Sequence, residues 1–312
     1  MTKIQKLIGT LVVLVAFSLS LWIWDGKGVQ GSFDRSIFVI EDTAAISAIH
    51  IQSKVQDISV QRDGQRWTLN DSMAIDPSLI QISESVLSQV SVLRPISQLN
   101  IDEVRKQLLE SGQKITITMD GHDRVFYAGG NLQKTQSYFG DADLQNVYLV
   151  GIPGYSNYVS GIFELTANQW RDRLLFNSNF RSLQSLQIAY ADGSDLEIRF
   201  KDRFFTVDQI QKIDTAVLTS YINSLEGFQL NDYLKAGEFP RYDSLLKTEP
   251  LAHLSIRDID LDKNRELDVY PKIAGERFYL LSDRKGDMIV VDQNRIQKLL
   301  VTPDQFEYKL NL

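Results

Sequence analysis

The chain has no cysteine among its 312 residues, and that one absence removes several chemistries together. Disulfides, zinc–thiolate sites, iron–sulfur clusters, thiol nucleophiles and lipoprotein acylation all need that side chain. Histidine is almost as scarce. His50, His122 and His253 are scattered, and no H-E-x-x-H places two imidazoles on one helical face. No G-x-S-x-G elbow frames a serine and no Walker loop is present, so the chain reads as non-enzymatic, with no catalytic residue, metal set or cofactor to assign. Positive charge is short as well: 33 lysines and arginines face 40 aspartates and glutamates, a net charge of −7. Nucleic acid and anionic membrane surfaces both bind a cationic face, so neither is an expected ligand.

Long apolar runs are missing too, with one exception. Leu7 to Trp24 carries no charge and is bracketed by Lys3, Lys6 and Asp25. As a helix it covers roughly 27 Å, close to the hydrocarbon thickness of a bilayer. A cleaved signal peptide ending near Ser18 and Ser20 is the alternative, but Leu21 to Trp24 continue the apolar run past that cut. The expectation is therefore a transmembrane helix at 7–24, with 1–6 cytoplasmic and Trp22 and Trp24 as anchors at the far interface. Residues 25–35, DGKGVQGSFDR, read as a juxtamembrane tether. Gly26-Lys27-Gly28-Val29-Gln30-Gly31 matches G-x-G-x-x-G, yet that fingerprint needs a strand before it and a helix after it, and neither pattern is there.

The remainder, about 290 residues, exceeds one typical domain. Strand-like runs closed by turn dipeptides alternate with amphipathic helical runs, an α+β pattern built on antiparallel sheet. Asp57 to Asn70 reads as a hairpin about Asp63-Gly64, and Asp120-Gly121 punctuates a second pair. A helix opens with Asp76 and Pro77 and places Leu79, Ile82, Val86 and Val90 on one face. Another opens with an Asn100/Glu103 capping-box pattern and stops at Gly112.

Shifting the chain by about 140 residues lays its second half on its first. Asp57-Ile58 falls on Asp195-Leu196, Trp67-Thr68-Leu69 on Phe205-Thr206-Val207, and Ile75-Asp76 on Ile213-Asp214. Asn146 to Val150 falls on Asp287 to Val291 with a small drift. The expectation is two tandem, duplicated modules, 36–177 and 178–312, the second lacking a counterpart to the Gly151–Gly161 loop.

Three features are candidates for sites. Tyr138, Tyr148, Tyr155 and Tyr158 bracket the Gly151–Gly161 loop and are possible partner contacts, tyrosine being a favourable interface anchor. Trp170-Arg171-Asp172-Arg173, taken with Trp67, reads as a structural cluster locking the module boundary within a helix. Asp258, Asp260, Asp262, Asn264 and Glu266 alternate as hard-cation ligands do. They lack the glycine and terminal acid of an EF-hand, so a solvated hairpin turn with Ile259 and Leu261 facing the core is the expectation.

The N-terminal span, Arg66-Trp67-Thr68-Leu69 followed by Asp76-Pro77, Tyr138, Asn146-Val147-Tyr148-Leu149-Val150 and Trp170-Arg171-Asp172-Arg173 together resemble the membrane-anchored bacterial proteins of the domain of unknown function numbered 4340. The resemblance implies an inner-membrane location with periplasmic modules, and association with ABC-type export systems of the gliding-motility kind. It carries over no catalytic residue. The functional expectation is a non-enzymatic, membrane-anchored accessory or scaffold subunit whose partners are ABC permease and auxiliary subunits. A periplasmic module binding peptide, glycan or lipid in the inter-module cleft is the alternative.

Overall fold

The computed structural model describes residues 33–309; the 7–24 span, Trp22, Trp24 and most of the tether lie outside the described residues. No helix among the described residues is long and apolar enough to cross a membrane. The protein is mixed α+β and dominated by large antiparallel sheets.

In chain order the strands of the first half are β1 (Ile46–Gln52), β2 (Asp57–Asp63), β3 (Arg66–Leu69), β4 (Met73–Ala74), β5 (Ser91–Pro95), β6 (Gln113–Met119), β7 (His122–Gly130), β8 (Ser137–Asp141) and β9 (Val147–Gly151). Those of the second are β10 (Leu174–Phe176), β11 (Leu183–Tyr190), β12 (Leu196–Lys201), β13 (Phe204–Val207), β14 (Phe228–Gln229), β15 (Asp232–Leu234), β16 (Ala252–Asp258), β17 (Arg265–Val269), β18 (Phe278–Asp283) and β19 (Met288–Asp292).

Two compact units share the chain. The first takes the chain up to Val55 and Ile82–Glu164; the second takes Gln56–Gln81 and the chain from Leu165 on. This division differs from a cut at 177/178, and backbone hydrogen bonds give the reason. Asp76 N–H donates to the Trp170 carbonyl at 3.0 Å and Asp172 N–H to that of Ala74 at 3.0 Å, tying 72–76 to the later chain.

In the first unit six strands pair antiparallel in the order β1-β6-β7-β8-β9-β5. Alternation sets which face is dry: Ile49 opposes Ile117 and Ile51 opposes Ile115, all buried, while the intervening pair is His50 and Thr116. Phe38, Phe126, Phe139 and Phe163 fill this unit with ring centroids 5.0–6.3 Å apart. The Ile101–Ser111 helix lays Val104 and Leu108 against Tyr138, Leu144 and Val147. Asn100 does not cap it through its side chain, so the capping box read there does not form; the one at Thr166 and Gln169 does. The Pro77–Gln89 helix starts as expected, with Asp76 Oδ1 accepting from Ser78 N–H at 2.9 Å. Val86 and Val90 of the face named from the sequence are buried, together with Ile80, Ser83 and Leu87, whereas Leu79 is half-buried and Ile82 exposed, so the buried face is rotated only in part from the one the apolar pattern suggested.

In the second unit eight strands pair antiparallel in the order β13-β12-β11-β16-β17-β18-β19-β15, beside the short pair β10-β14 and the hairpin β2-β3. The six-strand run β11-β16-β17-β18-β19-β15 repeats the order of the first unit's sheet. Every residue of β19 is buried, which is why its sequence, MIVVD, is apolar without alternation. Leu218 and Ile222 of the Thr215–Asn223 helix join the main core, and Asp214 caps that helix by accepting from Ala216 and Val217 N–H at 3.0 and 3.1 Å.

The hairpins show how turn residues set register. Asp120 and Gly121 both have positive φ between Met119 and its partner His122, the backbone that an Asp-Gly turn favours. In β12-β13 the two loop residues are Asp202 and Arg203, with φ of 49° and 80°. A side chain at the second position is held in the left-handed region at a cost. Arg203→Gly is therefore expected to stabilise the protein by about 0.5–1 kcal/mol, read as a rise in the calorimetric midpoint of the second unit.

Candidate functional site

A cleft of about 710 Å³ lies wholly within the second unit. Its walls come from the β3-β4 region, from Arg171–Leu175 and from strands β15 to β19, so residues assigned above to both tandem modules meet in it. Leu175, Leu267 and Ile289 form an apolar floor, and the rim is heavily charged.

The first wall is built on the chain after the short Ala167–Trp170 helix. That helix ends at Trp170 because Arg171 adopts extended backbone, φ −66° and ψ 146°. The tetrad read as helical is thus extended from Arg171 on, and Arg171 forms an antiparallel bridge with Ile75. Its guanidinium engages Asp287 as a fork, with Nη1 3.0 Å from Oδ1 and Nη2 bonded to Oδ2. The same guanidinium lies 3.5 Å from the ring centroid of Tyr233, whose hydroxyl donates to the Asp172 carbonyl at 2.9 Å. Burial raises the Tyr233 hydroxyl above its usual range, with Arg171 opposing the shift. Burial also raises the Asp172 carboxyl, which accepts from Leu174 N–H at 2.9 Å and has no cation within ion-pair distance among the described residues. The Arg173 carbonyl accepts from Leu230 N–H at 2.9 Å.

The opposite wall is centred on Glu266, whose side chain is 8% exposed. Arg257 pairs with its Oε1 and Arg284 with its Oε2, so one buried carboxylate serves two guanidinium groups. Arg66 approaches Asp262 at 3.5 Å, but both side chains are mostly in solvent, and such a pair contributes little. Arg265 donates to the carbonyls of Asp262 and Asn264 at 2.7 and 2.8 Å. Among the described residues neither Arg265 nor Lys285 has a carboxylate within ion-pair distance.

The residues singled out from the sequence fall in different places. Trp170 is fully buried, and Arg171 and Asp172 line the cleft. Trp67 does not line it: it stands on β3 with the Arg62 guanidinium 5.8 Å from its ring. The tyrosines do not form one surface. Tyr138 is a core residue at 8% exposure, its hydroxyl donating to Gln136 at 2.7 Å, because its side of β8 faces the Ile101–Ser111 helix. Tyr148 packs edge-on to Phe38 at 5.8 Å. Tyr158 is half-buried and bonded to Glu164, which also pairs with Lys134, and burial drives its hydroxyl far above the usual range. Only Tyr155 of the four is well exposed.

Asp258 to Glu266 forms the β16-β17 turn with a short 3-10 segment, Leu261–Lys263. Ile259 and Leu261 point outward, 65% and 77% exposed, contrary to the core-facing expectation; the residue turned inward is Asp258. Burial pushes the Asp258 carboxyl up, but the bonds it accepts, including Ser182 Oγ at 2.7 Å and Asp260 N–H at 2.9 Å, outweigh that and hold it low. No group of three or more His, Asp or Glu side chains placed to hold a metal occurs among the described residues. Of the histidines, His253 meets Asp268 across β16-β17 at 2.8 Å, His122 is exposed at a turn, and His50 lies on β1.

Sequence reasoning missed Glu266 and its two arginines as a cleft wall. The signal was present as Arg257 and Glu266 on strands flanking one turn, but it was absorbed into the acidic alternation of the turn itself. No family model, no curated protein and no solved structure matches the chain, so what can be said of its function starts from the geometry above.

Proposed function

We propose that the protein is a non-enzymatic accessory or scaffold subunit of an ABC-type transport complex, acting through protein–protein contacts. Leu7–Trp24 is its single inner-membrane span, and its two sheets, copies of one module, stand in the periplasm. The charge-free span and the resemblance set out above support the location, and the common strand order supports the duplication.

One observation carries the contact role. The pairings Gln52 with Lys114, Gly130 with Ser137 and Ser137 with Val150 bring the ends of β1, β7 and β9 to one end of the first unit's sheet. The connections leaving that end carry Val55, Leu132 and Tyr155, 90%, 89% and 54% exposed. At about 4.8 Å between strands, the row spans roughly 20 Å. Scattered single apolar residues need no explanation, but three on neighbouring loops of one sheet end form an edge suited to a partner.

Extraction of the tagged full-length protein in mild detergent, followed by mass spectrometry, tests this. ABC permease and ATPase subunits are expected to co-purify, and to be lost when Val55, Leu132 and Tyr155 are all changed to Asp. A clean monomer from wild-type membranes would overturn the reading.

A further inference from the structure

We propose that the cleft of the second unit binds a small polyanion, a ligand carrying two or more phosphate or carboxylate groups. This goes beyond the scaffold role and does not depend on it.

The inference starts from charge that the fold leaves uncommitted. Six basic side chains line the cleft, in a protein whose net charge is −7. Arg171 is fully engaged with Asp287 and belongs to the framework. Arg257 and Arg284 share Glu266, which leaves one of the two positive charges unbalanced. Arg265 donates to backbone carbonyls and acts on Asp172 without an ion pair, Lys285 has no carboxylate partner among the described residues, and Arg66 pairs weakly in solvent.

Opposing this charge are two other acids. Asp283 is occupied by the backbone N–H groups of Lys285 and Asp287, both at 2.9 Å, as part of the β18-β19 turn. Asp172 sits across the cleft beside Tyr233. With Asp262, Glu266 and Asp287 the cleft holds five acids against six basic groups, an excess of one positive charge in a protein that is otherwise acidic, and a cleft of this volume suits a small molecule.

Guanidinium chemistry narrows the ligand class. A planar fork matches the two oxygens of a carboxylate or phosphate, whereas a neutral glycan would leave the positive charges unmatched. Arg284, with three quarters of its side chain in solvent, is free to swing from Glu266 to an incoming oxyanion while Arg257 keeps Glu266 neutralised. Soluble phosphates or carboxylates and the phosphate of an anionic lipid headgroup share this chemistry.

Calorimetric titration of the full-length protein in neutral detergent with inorganic pyrophosphate and with citrate tests the proposal. A parallel arm uses nanodiscs of phosphatidylcholine with and without phosphatidylglycerol. Saturable binding of a soluble probe is expected, weakened about tenfold or more by Arg284→Ala combined with Lys285→Ala, both on the exposed rim. Asp172→Asn removes the opposing charge and is expected to tighten binding about two- to threefold. Binding confined to phosphatidylglycerol nanodiscs and lost in the same double variant also supports the site and names lipid as the source. No saturable binding in either arm, or an affinity unchanged in the double variant, overturns it.

Discussion

Arg171→Met is expected to destabilise the second unit by about 2–4 kcal/mol, seen as a lower midpoint in calorimetry or guanidinium unfolding of the full-length chain. The cost does not come from the fork to Asp287 alone. With the guanidinium gone, Asp287 keeps its charge in a wall where it is 30% exposed, without its partner. Breaking a buried pair from one side leaves an uncompensated charge, and the partial exposure puts the effect toward the lower part of the usual range. The stacking on Tyr233 at 3.5 Å is lost as well, a contact of about 1–2 kcal/mol when desolvated. Removing both charges, as Arg171→Met with Asp287→Leu, is expected to recover at least half of the loss, because a paired ion bridge is a weak net contributor compared with apolar packing. A double variant as unstable as the single one would mean that the Tyr233 stack, not the stranded carboxylate, sets the cost.

Trp170→Ala is expected to be more severe, about 3–5 kcal/mol, and to remove much of the cooperative unfolding of the second unit. The indole is fully buried, and its backbone carbonyl accepts the Asp76 hydrogen bond that brings the Pro77–Gln89 helix opening to this wall. Deletion to alanine leaves a cavity the size of a bicyclic ring in a close-packed interior. The indole N–H finds no acceptor among the described residues, so it already bears the cost of an unpaired buried donor. Trp170→Phe is therefore expected to cost well under half as much as Trp170→Ala, since it gives up part of the ring but also that orphan. Equal costs would mean that the indole shape is needed throughout.

The regular elements were legible because their determinants are local. Asp120-Gly121, the Asp76-Pro77 opening and the stop at Gly112 depend on side chains a few residues away, and all stand where the sequence puts them. Faces were harder. Leu79, Ile82, Val86 and Val90 make a regular apolar stripe, yet only Val86 and Val90 of the four are buried, and tertiary packing brings in Ile80, Ser83 and Leu87 beside them. Asn100 has the right type for a cap but sits in αR backbone, which aims its side chain away from the N–H groups it would need. The cleft was the least legible part. Arg66, Arg171 and Glu266 are distant in sequence, and each alone resembles an ordinary surface charge. Tyr138 misled for the same reason, since nothing near it in sequence distinguishes an outward tyrosine from one under a helix.

The second unit draws on two separated stretches, Gln56–Gln81 and the chain from Leu165. On a ribosome the earlier stretch is made first, and the partner of its Ile75–Arg171 bridge follows nearly a hundred residues later. Synthesis runs from one end to the other, whereas this unit must be assembled from the outside in. Nearly all of the intervening chain, Ile82–Glu164, belongs to the first unit, so its folding shortens the span across which that bridge must form and reduces the entropic cost of closing it. The connectivity thereby couples the two foldings: the second unit closes only after Arg171 has been made, and the loop it closes is the shorter for every residue of 82–164 already folded.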